Sequence, residues 1–236
     1  MNRNYLYSHS QYFLFWIYFF ILSIFSMYYV FMIPFAFSRL GIHPFLATTL
    51  FWLSLLGSFI NIPVAKLKNK VPMVRDSFVN FWGIKYRVPY VKYAHTTLAI
   101  NVGGAMVPVL VSSLIVWQLI TRHFFVLLLK SLIGISITTL IAFIFAKPVK
   151  GVGIALPAFL PPIVAALMGI FLGISSPLQQ APVIIAYLSG TLGTLIGADL
   201  LHLKDIENLG APVASIGGAG TFDGIFLSGI IAALLV

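Results

Sequence analysis

The run "FFVLLLKSLIGISITTLIAFIFA", residues 124 to 146, decides the fold class of this chain. Its only charge is Lys130. At 1.5 Å of rise per residue, a helix of this length crosses about 30 Å of hydrocarbon, and apolar runs of roughly 20 residues are read as membrane spans for that reason.

Working outward, six more nearly uncharged runs recur, at Tyr12 to Phe37, Pro44 to Ala65, Thr96 to Ile120, Val152 to Ile174, Ala181 to Leu203 and Ala211 to Val236. Of the 236 residues 60% are hydrophobic and 8% charged, and mean hydropathy is +1.04. A soluble domain is about a quarter charged. The expectation is an all-α, polytopic transmembrane helix bundle of about seven spans, forming a single integral membrane domain over residues 1–236. The first run is too long and too aromatic for a cleaved signal peptide, so it counts as a retained span. The chain has no cysteine, which excludes disulfides, thiolate nucleophiles and Cys-based zinc sites.

The net charge of +9 follows topology rather than a nucleic-acid partner. Seven of the fourteen Lys and Arg residues lie between Lys66 and Lys92. If that loop is cytoplasmic, Arg3, Lys147, Lys150 and Lys204 fall on the same side, and only Arg39, Arg122 and Lys130 face outward. The positive-inside rule then sets the N-terminus inside and the C-terminus outside. The loop itself, residues 66–93, alternates aromatic and β-branched residues with polar ones around Trp82-Gly83. That pattern predicts a small β-hairpin on the cytoplasmic surface, touching anionic lipid headgroups. The bilayer is the implied partner; no nucleic acid, cofactor or metal is expected, and an oligomer is left open.

Of five acidic residues, Asp76, Asp205 and Glu207 fall in loops, leaving Asp199 and Asp223 within apolar runs. A carboxylate in hydrocarbon costs at least about 2.5–3.5 kcal/mol, so such residues face a bundle interior or an aqueous cavity and mark function. Asp199 lies five residues before Lys204, with His202 three residues further along on the same helical face. Before Asp223 stand Gly217, Gly218, Gly220 and Thr221. Glycines there predict a broken segment, with Asp223 at a helix start facing Asp199 near the cytoplasmic side. Asn101 beside Gly103, Gly104 and Pro108, and Pro157 with Pro161 and Pro162, mark further breaks pointing to the same interior. Asn61 with Pro63 closes the second run. A short echo, "LGIHPFL" at 40–46 and "VGIALPAFL" at 152–160, opens two runs of opposite expected direction, as inverted repeats do in transporters.

Four stretches in order, "AINVGGAMVPVL" (99–110), "GIALPAFLPP" (153–162), "SGTLGTLIGADLLHL" (189–203) and "SIGGAGTFDGIFLSGI" (215–230), resemble the prokaryotic integral-membrane family catalogued as domain of unknown function 1614. That resemblance implies a membrane protein and supplies no biochemistry. A more distant motif similarity is to intramembrane aspartyl proteases of the presenilin and signal-peptide-peptidase type, which use two aspartates on adjacent antiparallel spans. Here Gly218-Ala219-Gly220 precedes Asp223, but Thr221 and Phe222 intervene, and Pro157-Ala158-Phe159 comes before the aspartates rather than after.

Three readings follow from these residues. Asp199 and Asp223 can carry a proton or cation, with Asn101 and broken-helix carbonyls completing a site for coupled transport of a small solute. They can share one proton as the dyad of an intramembrane aspartyl peptidase. In a structural or accessory subunit, they would be buried pairs and the glycines packing surfaces.

Overall fold

The computed structural model describes residues 9–68, 73–81, 84–92, 95–149, 153–208, 211, 213–218 and 224–236. Each of the seven apolar runs contains a helix: α1 (His9–Arg39), α2 (Pro44–Gly57), α3 (Val107–Thr121), α4 (Phe125–Phe145), α5 (Leu160–Gly173), α6 (Ala181–Thr194) and α7 (Gly224–Leu235). Two π-helical segments extend this set, Val102–Met106 leading into α3 and Leu195–Leu200 continuing α6. Three uninterrupted stretches of described helix are long and apolar enough to cross a membrane: Val102–Thr121, Phe125–Phe145 and Ala181–Leu200. The remaining apolar helical stretches are shorter.

The fold is therefore mostly helical, but the all-α expectation is corrected by seven strands among the described residues. β1 (Asn61–Lys68), β4 (His95–Asn101) and β7 (Val213–Ile216) form one sheet in the order β1-β4-β7, antiparallel then parallel. β2 (Met73–Phe81) and β3 (Ile84–Lys92) pair antiparallel from Met73↔Lys92 to Phe81↔Ile84; Trp82 and Gly83, the expected turn, lie outside the described residues. β5 (Lys147–Val149) and β6 (Gly153–Ala155) make a third, short pair.

Four of the apolar runs thus contain a strand as well as a helix. α2 stops at Gly57, and the chain is extended from Asn61, where Pro63 sits at a register shift in the β1–β4 ladder. Pro has no amide hydrogen to give a ladder, so it is tolerated at such an irregularity. The first helical turn of α5 holds Pro161 and Pro162, whose missing donors are orphans there in any case. Hydropathy, being blind to backbone conformation, could not separate these extended pieces from the helices they adjoin.

α6 is the axis of the bundle. Every residue from Val183 to Thr191 is buried, and the helix packs against α3, α4, α5 and α7. Lipid offers no hydrophobic gain for helix association, so close backbone approach must supply it, and small residues line the contacts. A Cβ on Gly190 would sit 2.7 Å from the Ser228 carbonyl oxygen, and one on Gly193 would sit 2.7 Å from the Thr138 side chain. The outer surface is the reverse: Phe125, Val126, Leu129, Leu132 and Ile133 of α4 are exposed. Small residues inside and large apolar ones outside are what a hydrocarbon solvent selects.

Candidate functional site

Several interrupted elements meet at one junction, and Asn101 is its centre. As the last residue of β4 it caps the π-helical turn that follows, with its Oδ1 accepting from the Gly104 amide at 2.7 Å. Its Nδ2 donates to the Ser58 carbonyl at 2.6 Å and to Asn61 Oδ1 at 3.1 Å. The side chain is fully buried, and these bonds meet the rule that a buried amide be satisfied. Asn101 thereby ties the end of α2, the start of β1 and the start of the α3 helix together.

The glycines bring backbones into direct contact. A Cβ at Gly103 would stand 1.9 Å from the Ser54 carbonyl oxygen, and one at Gly104 would stand 1.9 Å from the carbonyl oxygen of Gly217. Ser54 Oγ donates to the Gly103 carbonyl at 2.6 Å. Gly217 has φ +84°, a left-handed conformation that glycine adopts without steric cost, and it turns the chain as β7 ends. Its amide donates to Asp199 Oδ2 over a long 3.4 Å. Ser215, on β7, donates to Asn61 Oδ1 at 2.5 Å. A connected polar path thus runs from Asn101 through the glycine contact to Asp199, a half-buried carboxylate in the π-helical extension of α6. An apolar cluster of Leu98, Ala105, Ile216 and Ile225 packs beside this path.

The expected site residues divide as follows. Asn101, Gly103, Gly104, Gly217 and Asp199 come together, and Gly218 follows with φ +85°. Pro157 is exposed in the turn before α5. His202 is buried beside the α4 residue Phe143, its ring centroid 4.9 Å from the phenyl and its Nδ1 3.1 Å from the Gly197 carbonyl oxygen. Gly220, Thr221 and Asp223 lie outside the described residues. Ser54, Ser58 and Ser215 are partners that the sequence reading missed. Ser54, Gly57 and Ser58 recur at helical spacing as a small-residue face of α2, and that pattern was the available signal.

A second polar seam joins α6 to α7. Thr194 Oγ1 donates to Ser228 Oγ at 3.1 Å, Gly190 abuts the Ser228 backbone, and a Cβ on Gly229 would meet Thr191 Oγ1. Further along, Ala186 and Ala232 share a buried cluster. As residue numbers rise on α6 they fall on α7, so the two helices run antiparallel.

Fold and site define a mostly helical protein, with three described helical stretches long and apolar enough to cross a membrane, whose helices are interrupted around a buried polar junction. The chain belongs to the family described as protein of unknown function DUF1614, whose model matches residues 55–235. No curated protein and no solved structure matches it.

Proposed function

We propose that the protein is an intramembrane aspartyl peptidase with Asp199 and Asp223 as its dyad. The observation that carries this reading is the register of α6 against α7. Thr194 meets Ser228 across the helix pair; in sequence, Asp199 follows Thr194 by five residues, in the π-helical segment, and Asp223 precedes Ser228 by five. On this reading the two carboxyls meet beyond this contact, Asp223 itself lying outside the described residues. Asp223 immediately precedes α7, where free backbone amides favour a carboxylate.

Two carboxyls in contact share one proton, because like charges so close resist joint ionisation. The ionised member takes a proton from water as it attacks the scissile carbonyl; the protonated member donates to the carbonyl oxygen. The substrate class is a membrane-embedded segment that unwinds locally. β7 supports this: it is the edge of its sheet, four residues long, and ends at the turn whose Gly217 amide donates to Asp199. An extended peptide adds to such an edge through backbone hydrogen bonds. In this reading the chain crosses the membrane about seven times, N-terminus inside, with the basic strands β2 and β3 on the cytoplasmic side against anionic headgroups.

The test is cleavage of tagged single-span peptides by the purified full-length protein in liposomes, followed by mass spectrometry. Wild type yields discrete products, and Asp199→Asn and Asp223→Asn each abolish them while thermal unfolding remains cooperative. Retained cleavage in both single variants would overturn the proposal.

A second reading, proton- or cation-coupled transport of a small solute, is favoured by one feature: the breaks around Asn101 and Asp199 leave irregular backbone within apolar runs, as at transporter sites. Pyranine-loaded proteoliposomes offered pools of amino acids, sugars and carboxylates would then acidify with wild type and not with Asp199→Asn. An equal response from both would dismiss it.

A further inference from the structure

The other end of α3 from Asn101, some 20 helical residues away, holds a mostly apolar pocket, with a few polar groups, that the peptidase reading does not use. It lies where the α3–α4 turn meets the connection between α5 and α6, and encloses about 280 Å³. His123, Lys130, Ser175 and Ser176 supply its polar wall; Val126 and Leu127 supply apolar wall.

Lys130 is the unusual member. It sits in the second turn of α4, inside a segment long enough to span a membrane, and is half-buried. Its ammonium donates to Ser175 Oγ at 2.8 Å, and among the described residues no ion pair holds it. A hydroxyl satisfies one of three ammonium donors and none of the charge. The sequence offers little else, since no acidic residue occurs between Asp76 and Asp199. Arg39 makes the contrast: its guanidinium donates to the Ala233 carbonyl at 2.9 Å, at the last turn of α7. Near the start of α4, with its hydroxyl bond exposed and no ion pair among the described residues, the Lys130 ammonium is accessible to a counter-charge from outside the chain.

We infer that this pocket binds a phosphate-bearing anion. Lys130 supplies the charge, Ser175 and Ser176 supply hydroxyl donors, and His123 closes the side at a backbone turn with φ 60°. Val126 and Leu127 continue the wall as hydrocarbon, so a phosphodiester with acyl chains attached, an anionic phospholipid of the leaflet at this end, fits the whole pocket. Inorganic phosphate would use the polar wall alone. Basic pockets between spanning helices hold lipid headgroups by the same combination.

The full-length protein in detergent is titrated with phosphatidylglycerol, with phosphatidylcholine and, separately, with inorganic phosphate, reading thermal unfolding and bound lipid by native mass spectrometry. Phosphatidylglycerol raises the unfolding temperature and stays bound, whereas phosphatidylcholine does neither. Lys130→Gln weakens phosphatidylglycerol binding by about fivefold, the equivalent of one lysine near an anionic lipid, while Lys130→Arg retains it and Lys204→Gln has no effect. If Lys130→Gln fails to fold, Ser176→Leu, which fills the pocket, gives the same loss. A matching shift with inorganic phosphate assigns the site to a soluble phosphorylated ligand. Equal binding by wild type, Lys130→Gln and Ser176→Leu, or no response of wild type to any phosphate-bearing probe, overturns the inference.

Discussion

Asn101 satisfies three backbone or side-chain groups from three elements, so its loss leaves several buried polar atoms bare at once. Asn101→Ala should cost about 1–3 kcal/mol, read as a lower midpoint in denaturant unfolding of the detergent-solubilised protein. Gly104 is constrained for a different reason. The atom opposite its Cβ position is the backbone carbonyl of Gly217, which cannot swing aside as a flexible side chain can. Gly104→Ala should therefore destabilise by about 1–3 kcal/mol, while Gly224→Ala, where nothing among the described residues lies within 4 Å, should leave the midpoint near wild type. A break in the helix at Asn101, Gly103 and Gly104 was legible in "AINVGGAMVPVL", because an amide and paired glycines in an apolar run interrupt regular structure. Their partners were not. Nothing near Ser54 or Gly217 in sequence says that each would press against a glycine some 50 or 110 residues away.

At the scale of elements, the α6–α7 pair is the test of the peptidase reading. The chain has no cysteine, so a double variant gives crosslinking without background. Thr194→Cys with Ser228→Cys should form a disulfide under mild oxidation, seen as altered mobility on a gel, since their hydroxyls already touch. Asp199→Cys with Asp223→Cys should crosslink as well if the register continues. Absence of the second product beside the first would separate the aspartates and remove the dyad. Element boundaries were the part of the fold least legible beforehand. The runs Pro44 to Ala65 and Thr96 to Ile120 read as spans, yet Asn61–Lys68 and His95–Asn101 pair with each other as strands. Residues such as Ile62, Val64, Leu98 and Ile100 are as apolar as any helix, and pairing rather than hydropathy makes them a sheet.

For the whole molecule, the uneven placement of cations gives a topology that can be checked directly. Ser77→Cys, on β2 among the basic strands, should resist a membrane-impermeant maleimide applied to intact cells, and Thr121→Cys, at the end of α3, should react. The reverse pattern would invert the orientation and place the Lys130 pocket in the opposite leaflet. The same arrangement separates the polar junction around Asn101 and Asp199 from the Lys130 pocket by the length of α3, so substitutions at one should not alter the other.

The sequence by itself determined that this chain is built from long apolar runs able to cross a membrane, and which few polar and helix-breaking residues fall within them. These are local and additive properties: hydropathy sums over a window, and proline or glycine acts on its own turn. Only the tertiary structure decided that β1, β4 and β7 join in one sheet, that Gly104 meets Gly217, and that Asp199 faces the turn after β7. Those contacts join separate elements, at separations from 18 to more than 100 positions. Which backbone groups find each other inside the bundle depends on how the other helices share the space around α6, and no window of sequence contains that.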